Sequence, residues 1–154
     1  MSTEFDVNQP ETDPEFLAAA EKTRAVTRGV CRLLVNMDQP CLTELTLKNG
    51  RRVDVIALDR KGLFTIIEVK VSVADFRGDT KWQDYLPFCD RFFFATPVDF
   101  PIELIPEETG LITADAYGAG ILRDATPGDM NASRRKALTL RFSRHAALRA
   151  TALE

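Results

Sequence analysis

The sequence contains few of the residues that build zinc sites and disulfide frameworks, with three cysteines and one histidine in 154 residues. The cysteines, Cys31, Cys41 and Cys89, are odd in number and lack C-x-x-C spacing, which favours reduced thiols. No apolar run approaches the length of a membrane-spanning helix. The first twenty residues contain acids and no basic residue, unlike a signal peptide. We therefore expect a cytoplasmic protein with no membrane attachment.

Charge is distributed unevenly along the chain. Every ionisable residue before Lys22 is acidic, namely Glu4, Asp6, Glu11, Asp13, Glu15 and Glu21. Near the other end, the charged residues from Arg134 to Arg149 are all basic, namely Arg134, Arg135, Lys136, Arg141, Arg144 and Arg149. The net charge of −3 argues against a general nucleic-acid coat protein. The basic segment could form a phosphate-binding face, and a solvated basic helix is an equally good interpretation.

Length and composition are typical of one soluble globular domain, with 45% hydrophobic and 28% charged residues. We predict a disordered acidic segment at 1–12 and a single domain at 13–154. Apolar spacing predicts a helix from Pro14 to about Asn36, and Asn131 or Ser133 begins a second long helix. Predicted strands cover 41–47, 52–58, 63–71, 91–96, 111–114 and 119–123. The strand at 91–96 is expected to run parallel to that at 63–71.

Two predicted strands, 52–58 and 63–71, form a hairpin that carries charge on an otherwise apolar face. Glu68 and Lys70 are two residues apart, so they point to the same side of their strand. A turn centred on Lys61 places Asp54 directly opposite Glu68. We expect the Lys70 ammonium to lean towards both acids, because they repel one another.

This arrangement has two interpretations. Lys70 could neutralise Asp54 and Glu68 as a buried ion pair, although two acids against one base leave a net negative charge. The second interpretation is a site for Mg²⁺, with Mn²⁺ as a possible substitute, because carboxylate oxygens suit these ions. The metal would activate water and bind a phosphoryl oxygen, and Lys70 would orient the nucleophile or stabilise developing charge.

Glu44 is a further candidate carboxylate for the same site. The Asn49-Gly50 pair predicts a tight hairpin between strands 41–47 and 52–58. A strict two-residue turn places Leu45 opposite Asp54 and sends Glu44 to the other face. A bulge, or a strand that begins after Glu44, would return its side chain to the site.

The segment after Lys70 changes character. Residues 75–79 are polar and predict a turn, and Asp79 could cap a helix over about 80–88. Four side chains here are candidate nucleic-acid contacts: Arg77, Lys81, Trp82 and Tyr85. Arg77 and Lys81 could bind phosphate, and Lys81 shares a helical face with Tyr85. Trp82 could stack on unpaired bases or pack in the core.

The order of helix, three meandering strands, helix and parallel strand resembles the PD-(D/E)XK nuclease superfamily. Asp54 lies on its second strand and Glu68-Val69-Lys70 on its third. Within the superfamily, four segments of the sequence are similar to the MmcB-type DNA repair proteins, namely 50–54, 68–77, 81–85 and 89–95. The resemblance covers about 13 to the C-terminus. It implies an α/β, restriction-endonuclease-like fold with a mixed β-sheet, an αβββαβ core and flanking helices.

The resemblance also implies a function and a set of site residues. The function is a Mg²⁺-dependent nuclease that hydrolyses phosphodiester bonds of DNA during repair, with DNA and possible repair proteins as partners. The catalytic residues would be Asp54, Glu68 and Lys70, with Glu44 as an additional acid. Asp54 and Glu68 would bind the metal. The oligomeric state is not indicated.

Two residues depart from the pattern of the superfamily. Val53 precedes Asp54 where the superfamily has proline, so the first half of the signature is only partly met. Lys81 stands four residues before Tyr85, where relatives with a Gln-x-x-x-Tyr helix have glutamine. Three functions remain open: a nuclease, a nuclease-fold DNA-binding accessory protein with little or no cleavage, and a structural domain with an ion-paired hairpin.

Overall fold

A computed structural model describes residues 13–152, which form a six-stranded mixed sheet with helices on both faces. The strands are adjacent in chain order: β1 (Cys41–Thr46), β2 (Arg52–Leu58), β3 (Phe64–Val69), β4 (Arg91–Thr96), β5 (Gly110–Ala114) and β6 (Ala119–Arg123). The α-helices are α1 (Pro14–Asn36), α2 (Val73–Gly78) and α3 (Ala132–Ala150), and 3₁₀ helices cover Trp82–Phe88 and Ile102–Leu104. The predicted mixed α/β fold with flanking helices is confirmed.

Strand pairing divides the sheet into an antiparallel part and a parallel part. β1, β2 and β3 form an antiparallel meander, as their short turns require. β3, β4 and β5 run parallel, and β6 returns antiparallel to β5. The predicted parallel pairing of β3 with β4 is therefore confirmed. The crossover between these strands contains α2, which follows the carboxyl end of β3, and the Trp82–Phe88 helix, which leads back to the start of β4.

Helix α1 covers one face of the sheet. It begins at Pro14, and the Asp13 side chain accepts a hydrogen bond of 2.9 Å from the Glu15 N–H. Val26 and Val30 are buried on its inner side. Gly29 allows the helix to approach the β5–β6 turn, because an added Cβ would lie 2.0 Å from the Asp115 carbonyl oxygen.

The other face is covered by α3 and the Trp82–Phe88 helix. Leu138 and Phe142 of α3 pack on this side, and Phe142 meets the Phe64 ring edge to face at 5.8 Å. Both faces of the sheet are thus covered, and every residue of β3 is buried. A central strand of this kind explains the almost uninterrupted apolar sequence of β3.

The crossover differs from its predicted form. Residues predicted as a turn belong to α2, which begins where the Ser72 hydroxyl accepts a 3.1 Å hydrogen bond from the Asp75 N–H. The predicted helix at 80–88 is a 3₁₀ helix from Trp82, and Pro87 inside it is incompatible with a regular α-helix. Asp79 does not cap this helix, although its Oδ1 accepts a hydrogen bond of 3.0 Å from the Lys81 N–H.

The β1–β2 turn is longer by one residue than the predicted two-residue turn. The Leu47 N–H donates to the Arg51 carbonyl at 2.7 Å, so three residues form the loop. Gly50 ends the loop with φ of 85°, the left-handed conformation typical of three-residue hairpins. In the resulting register Leu45 pairs with Val53, not with Asp54. The strict two-residue turn, which would have placed Leu45 opposite Asp54, is therefore not the turn that forms.

One basic residue of the C-terminal segment has a structural role. Arg135 donates two hydrogen bonds to the buried Asp90 carboxylate, at 2.8 and 2.6 Å, and a third to the Gly62 carbonyl. Asp90 also accepts a 2.7 Å hydrogen bond from the Phe64 N–H. Burial opposes the charge of Asp90, but the bonds from Arg135 and Phe64 hold its pKa below the usual range. Asp90 therefore ties α3 to the start of β3.

We expect Arg135→Ala to lower the free energy of unfolding by about 2 kcal/mol, because it leaves the Asp90 charge buried with one fewer partner. Urea denaturation at neutral pH measures this change. Lys136→Ala is the control, since Lys136 is the exposed neighbour on the same helix. Equal stability of the two variants would contradict a structural role of Arg135.

Other expectations concern the cysteines, the membrane and the chain ends. Cys31, Cys41 and Cys89 are free thiols, as predicted. Within 13–152, no helix has the length and apolar character needed to cross a membrane. The predicted disorder at 1–12 concerns residues outside the part that the structure describes.

Candidate functional site

The structure brings Asp54 and Glu68 together on neighbouring strands. Val55 pairs with Ile67, and the same antiparallel register places Asp54 opposite Glu68. Glu68 Oε1 accepts a hydrogen bond of 3.0 Å from the Asp54 N–H. Asp54 Oδ2 accepts one of 2.8 Å from the Val69 N–H. Each carboxylate is thus held against the backbone of the opposite strand, and the two lie side by side.

Burial makes this pair electrostatically unfavourable. Glu68 is only 5% exposed. Burial and the nearby charge of Asp54 raise the pKa of Glu68 to about 8. Burial also raises the pKa of Asp54, although the Val69 N–H and the positive charge of Lys70 oppose the rise. Ionisation of both acids is unfavourable because their negative charges repel one another. A cation bound between them would offset this repulsion.

Lys70 is buried beside the pair, but its direct partners are other acids. Its Nζ lies 3.0 Å from Asp79 Oδ2 and 3.9 Å from Asp75 Oδ1. The prediction that the ammonium leans towards Asp54 and Glu68 was therefore wrong. The reason is the path of the chain, because α2 returns these two later acids to the end of β3. The charge of Lys70 still lowers the pKa of Asp54 and Glu68.

Glu44 lies at an irregular step in β1. Thr43 pairs with Val55 and Leu45 with Val53, so Glu44 is the residue opposite Asp54. Its φ of 54° is left-handed, which is uncommon for a glutamate. The side chain is exposed, in contrast to half-buried Asp54 of β2 and buried Glu68 of β3. Glu44 is thus an exposed residue opposite Asp54 in the strand register.

The four candidate nucleic-acid contacts separate into exposed and buried residues. Arg77 lies in the last turn of α2 and Lys81 precedes the 3₁₀ helix, and both are exposed. Trp82 is buried and stacks on Phe92 with ring centroids 5.6 Å apart. Of the two roles expected for Trp82, base stacking and core packing, the structure shows core packing. Sequence alone did not decide this, because burial of a single aromatic depends on the strands beneath it.

Tyr85 is also buried, which makes it unsuitable as a nucleic-acid contact. Its hydroxyl donates a hydrogen bond of 3.1 Å to the Arg52 carbonyl at the start of β2. Burial and the nearby charges of Glu68 and Asp54 raise the pKa of Tyr85. Tyr85 therefore adjoins the acid pair and fixes the strand that carries Asp54.

The donor set fits a divalent ion of the Mg²⁺ type. No cluster of three or more metal-ligating His, Cys, Asp or Glu side chains occurs within 13–152. Two carboxylates suffice for Mg²⁺, which commonly keeps several waters and uses one or two carboxylates together with substrate phosphate. Asp54 and Glu68 each use one oxygen for a backbone N–H, which leaves the second oxygen of each for the ion.

Comparisons with known proteins agree with this architecture. A family model described as DNA repair protein MmcB-like matches residues 8–154. Among solved structures, the SPO1766 protein of unknown function from Silicibacter pomeroyi is 44% identical, with a TM-score of 0.81. The match covers 84% of this chain and 88% of that chain. Among curated proteins, none matches the sequence.

Proposed function

This chain belongs to the MmcB-like family of DNA repair proteins, and we propose that it is a metal-dependent endonuclease that hydrolyses phosphodiester bonds of DNA. The observation that carries the proposal is the pair of half-buried Asp54 and buried Glu68, hydrogen-bonded across adjacent strands beside Lys70. A structural ion pair would place the ammonium between the acids. Here the ammonium is bonded to Asp79, and the acid pair retains its raised pKa values.

We assign a separate role in the proposed reaction to each residue of the site. Asp54 and Glu68 would hold Mg²⁺ or Mn²⁺. When bound, such an ion supplies Lewis-acid polarisation of the phosphate and a more acidic water. Lys70 would stabilise the negative charge that develops on the attacked phosphate. Asp79 fixes the position of that ammonium at 3.0 Å, and Tyr85 holds the start of β2 through the Arg52 carbonyl.

Arg77 and Lys81 are the proposed phosphate contacts beside the site. Both are exposed, and both flank Asp79, which binds Lys70. Phosphate contacts fix the register of DNA on a protein without reading its sequence. Glu44, exposed opposite Asp54, is proposed as the additional acid at the solvent edge.

A second function is a DNA-binding accessory protein without cleavage. One observation favours it: the Lys70 ammonium is bonded to Asp79 and also lies 3.9 Å from Asp75, so these acids compete with a phosphate for its charge. In such a protein the fold would retain the acid pair, but the pair would not catalyse cleavage. Salt-sensitive DNA binding with no product formation in Mg²⁺ or Mn²⁺ would favour this function.

A cleavage assay tests the proposal. Labelled single-stranded, duplex, flap and junction DNA are incubated with the protein in Mg²⁺, in Mn²⁺ or in EDTA. We expect products from at least one substrate with metal and none in EDTA. Asp54→Asn is the control for contaminating nucleases, because it preserves the size of the side chain and removes its charge. Equal cleavage by Asp54→Asn, or in EDTA, would refute the proposed site.

A further inference from the structure

A large groove lies on the same side of the sheet as the acid pair. Its volume is about 970 Å³, and it runs between α3, the β1–β2 turn and the end of the Trp82–Phe88 helix. We call it the α3 groove. Its polar lining includes Lys48, Arg134, Arg141, Arg144 and His145, and none of the described lining residues is acidic. A concave site of one sign concentrates ligands of the opposite charge.

The floor of the α3 groove is apolar. Phe88, Leu138, Leu140 and Leu148 contribute to it. Leu140 and Leu148 are 62% and 61% exposed, which is high for leucines on a helix that also packs on the sheet. The guanidinium of Arg134 lies 4.7 Å from the centre of the Phe88 ring, and the exposed Arg134 offers a second flat face to an occupant. The occupant must therefore combine negative charge with apolar faces.

The α3 groove adjoins the acid pair through the Trp82–Phe88 helix. The Tyr85 hydroxyl donates a hydrogen bond of 3.1 Å to the Arg52 carbonyl, two residues before Asp54, and Phe88 lines the groove. These two aromatic residues are three positions apart, which is one 3₁₀ turn, or about 6 Å along the helix axis. The α3 groove and the acid pair thus lie at the two ends of one short helix, on the same side of the sheet.

We propose that the α3 groove binds a single-stranded stretch of DNA next to the bond that is cut, an inference that rests on the proposed function. Phosphates would pair with Lys48, Arg134 and Arg144, and unstacked bases would cover the leucines. Cationic grooves with flat or apolar floors are the common design for single-strand binding, and Arg planes also stack on bases. The substrate would then be DNA with an unpaired arm, not a continuous duplex.

Two other occupants fit less well. Duplex DNA presents phosphates at its surface but keeps its base faces stacked inside, so the exposed leucines would gain no contact from it. An acidic peptide could satisfy both the charge and the apolar floor. It has no chemical reason to extend from the groove to a phosphodiester-cleaving site, whereas a nucleic acid strand does.

Fluorescence anisotropy in EDTA tests the inference without any need for cleavage. The probes are labelled oligothymidylate and a blunt duplex of the same length, and unlabelled polyglutamate is the competitor. We expect Arg144→Glu to weaken oligothymidylate binding at least about tenfold, and Lys136→Glu less than about twofold. Lys136 is the matched control, because it is exposed on α3 and does not line the groove.

The apolar floor is tested by Leu148→Ser, with Val35→Ser on α1 as its control, since Val35 is 65% exposed. We expect Leu148→Ser to weaken oligothymidylate binding about three- to tenfold and to leave duplex affinity within about twofold. Equal losses for both DNA forms, no effect of Arg144→Glu, or equally effective competition by polyglutamate would each overturn the inference. Loss of cleavage in Asp54→Asn leaves these binding results unchanged, so the two proposals fail separately.

Discussion

Lys70→Ala is expected to lower the rate of DNA cleavage by about 10²- to 10³-fold, because it removes a positive charge where the transition state develops negative charge. The acids that would hold the metal remain, so Mn²⁺ affinity should be retained. Cleavage rate, Mn²⁺ binding and urea denaturation are measured on the same preparation. Removal of Lys70 also leaves Asp79 without its 3.0 Å partner, so some loss of stability is expected.

Asp79→Asn separates the charge of Lys70 from its position. This variant keeps the ammonium and removes the charge of its closest acid, so we expect a smaller loss of rate, about tenfold. Asp75 lies farther away, at 3.9 Å, and Asp75→Asn should change the rate little. If Lys70→Ala unfolds at much lower urea while cleavage per folded molecule is unchanged, Lys70 is a structural residue and its catalytic assignment is wrong.

Glu68→Gln is expected to raise the free energy of unfolding at pH about 8, in EDTA, by on the order of 3 kcal/mol, while abolishing metal-dependent cleavage. The folded protein holds the Glu68 proton up to pH about 8, whereas the unfolded chain releases it near 4.5. As pH rises between these values the unfolded state loses its proton first, so the stability of the parent protein falls. Glutamine has no proton to lose, and its amide oxygen can still accept from the Asp54 N–H.

Urea denaturation at pH about 5 and about 8 measures this difference. At the lower pH most Glu68 is protonated in the folded protein, so parent and Glu68→Gln should be nearly equal in stability. Glu44→Gln is the matched control, because Glu44 is exposed and its replacement should not alter the pH dependence. A parent protein whose stability does not fall between these pH values would contradict the unfavourable burial of Glu68.

Much of the fold was predictable because its signals are local. The apolar run in β3, the turn before it and the proline that begins α1 each depend on neighbouring residues only. Two elements were missed for physical reasons. Three residues form the β1–β2 turn because Gly50 adopts the left-handed conformation, which Asn-Gly permits in turns of either length. Helix α2 has six residues, too few for a periodic apolar pattern.

The part of the candidate site that lies on the β2–β3 hairpin was predictable from the sequence. Asp54 and Glu68 are brought together by the β2–β3 register, which alternation and turn position define. The ion pair of Lys70 with Asp79 depends on the direction that the chain takes after β3, which the sequence pattern does not specify. The α3 groove combines Lys48, Phe88 and Arg144, so only the packed tertiary structure reveals it.

The most direct test of the central claim is the binding of Mn²⁺, followed by electron paramagnetic resonance and isothermal titration calorimetry in the absence of DNA. We predict one ion bound to the parent protein and to Asp75→Asn, a strong loss of binding in Asp54→Asn and Glu68→Gln, and stabilisation of the parent protein by the ion. A parent protein that binds no Mn²⁺ at millimolar concentration, or an Asp54→Asn variant that binds it with unchanged affinity, would contradict a metal site formed by Asp54 and Glu68.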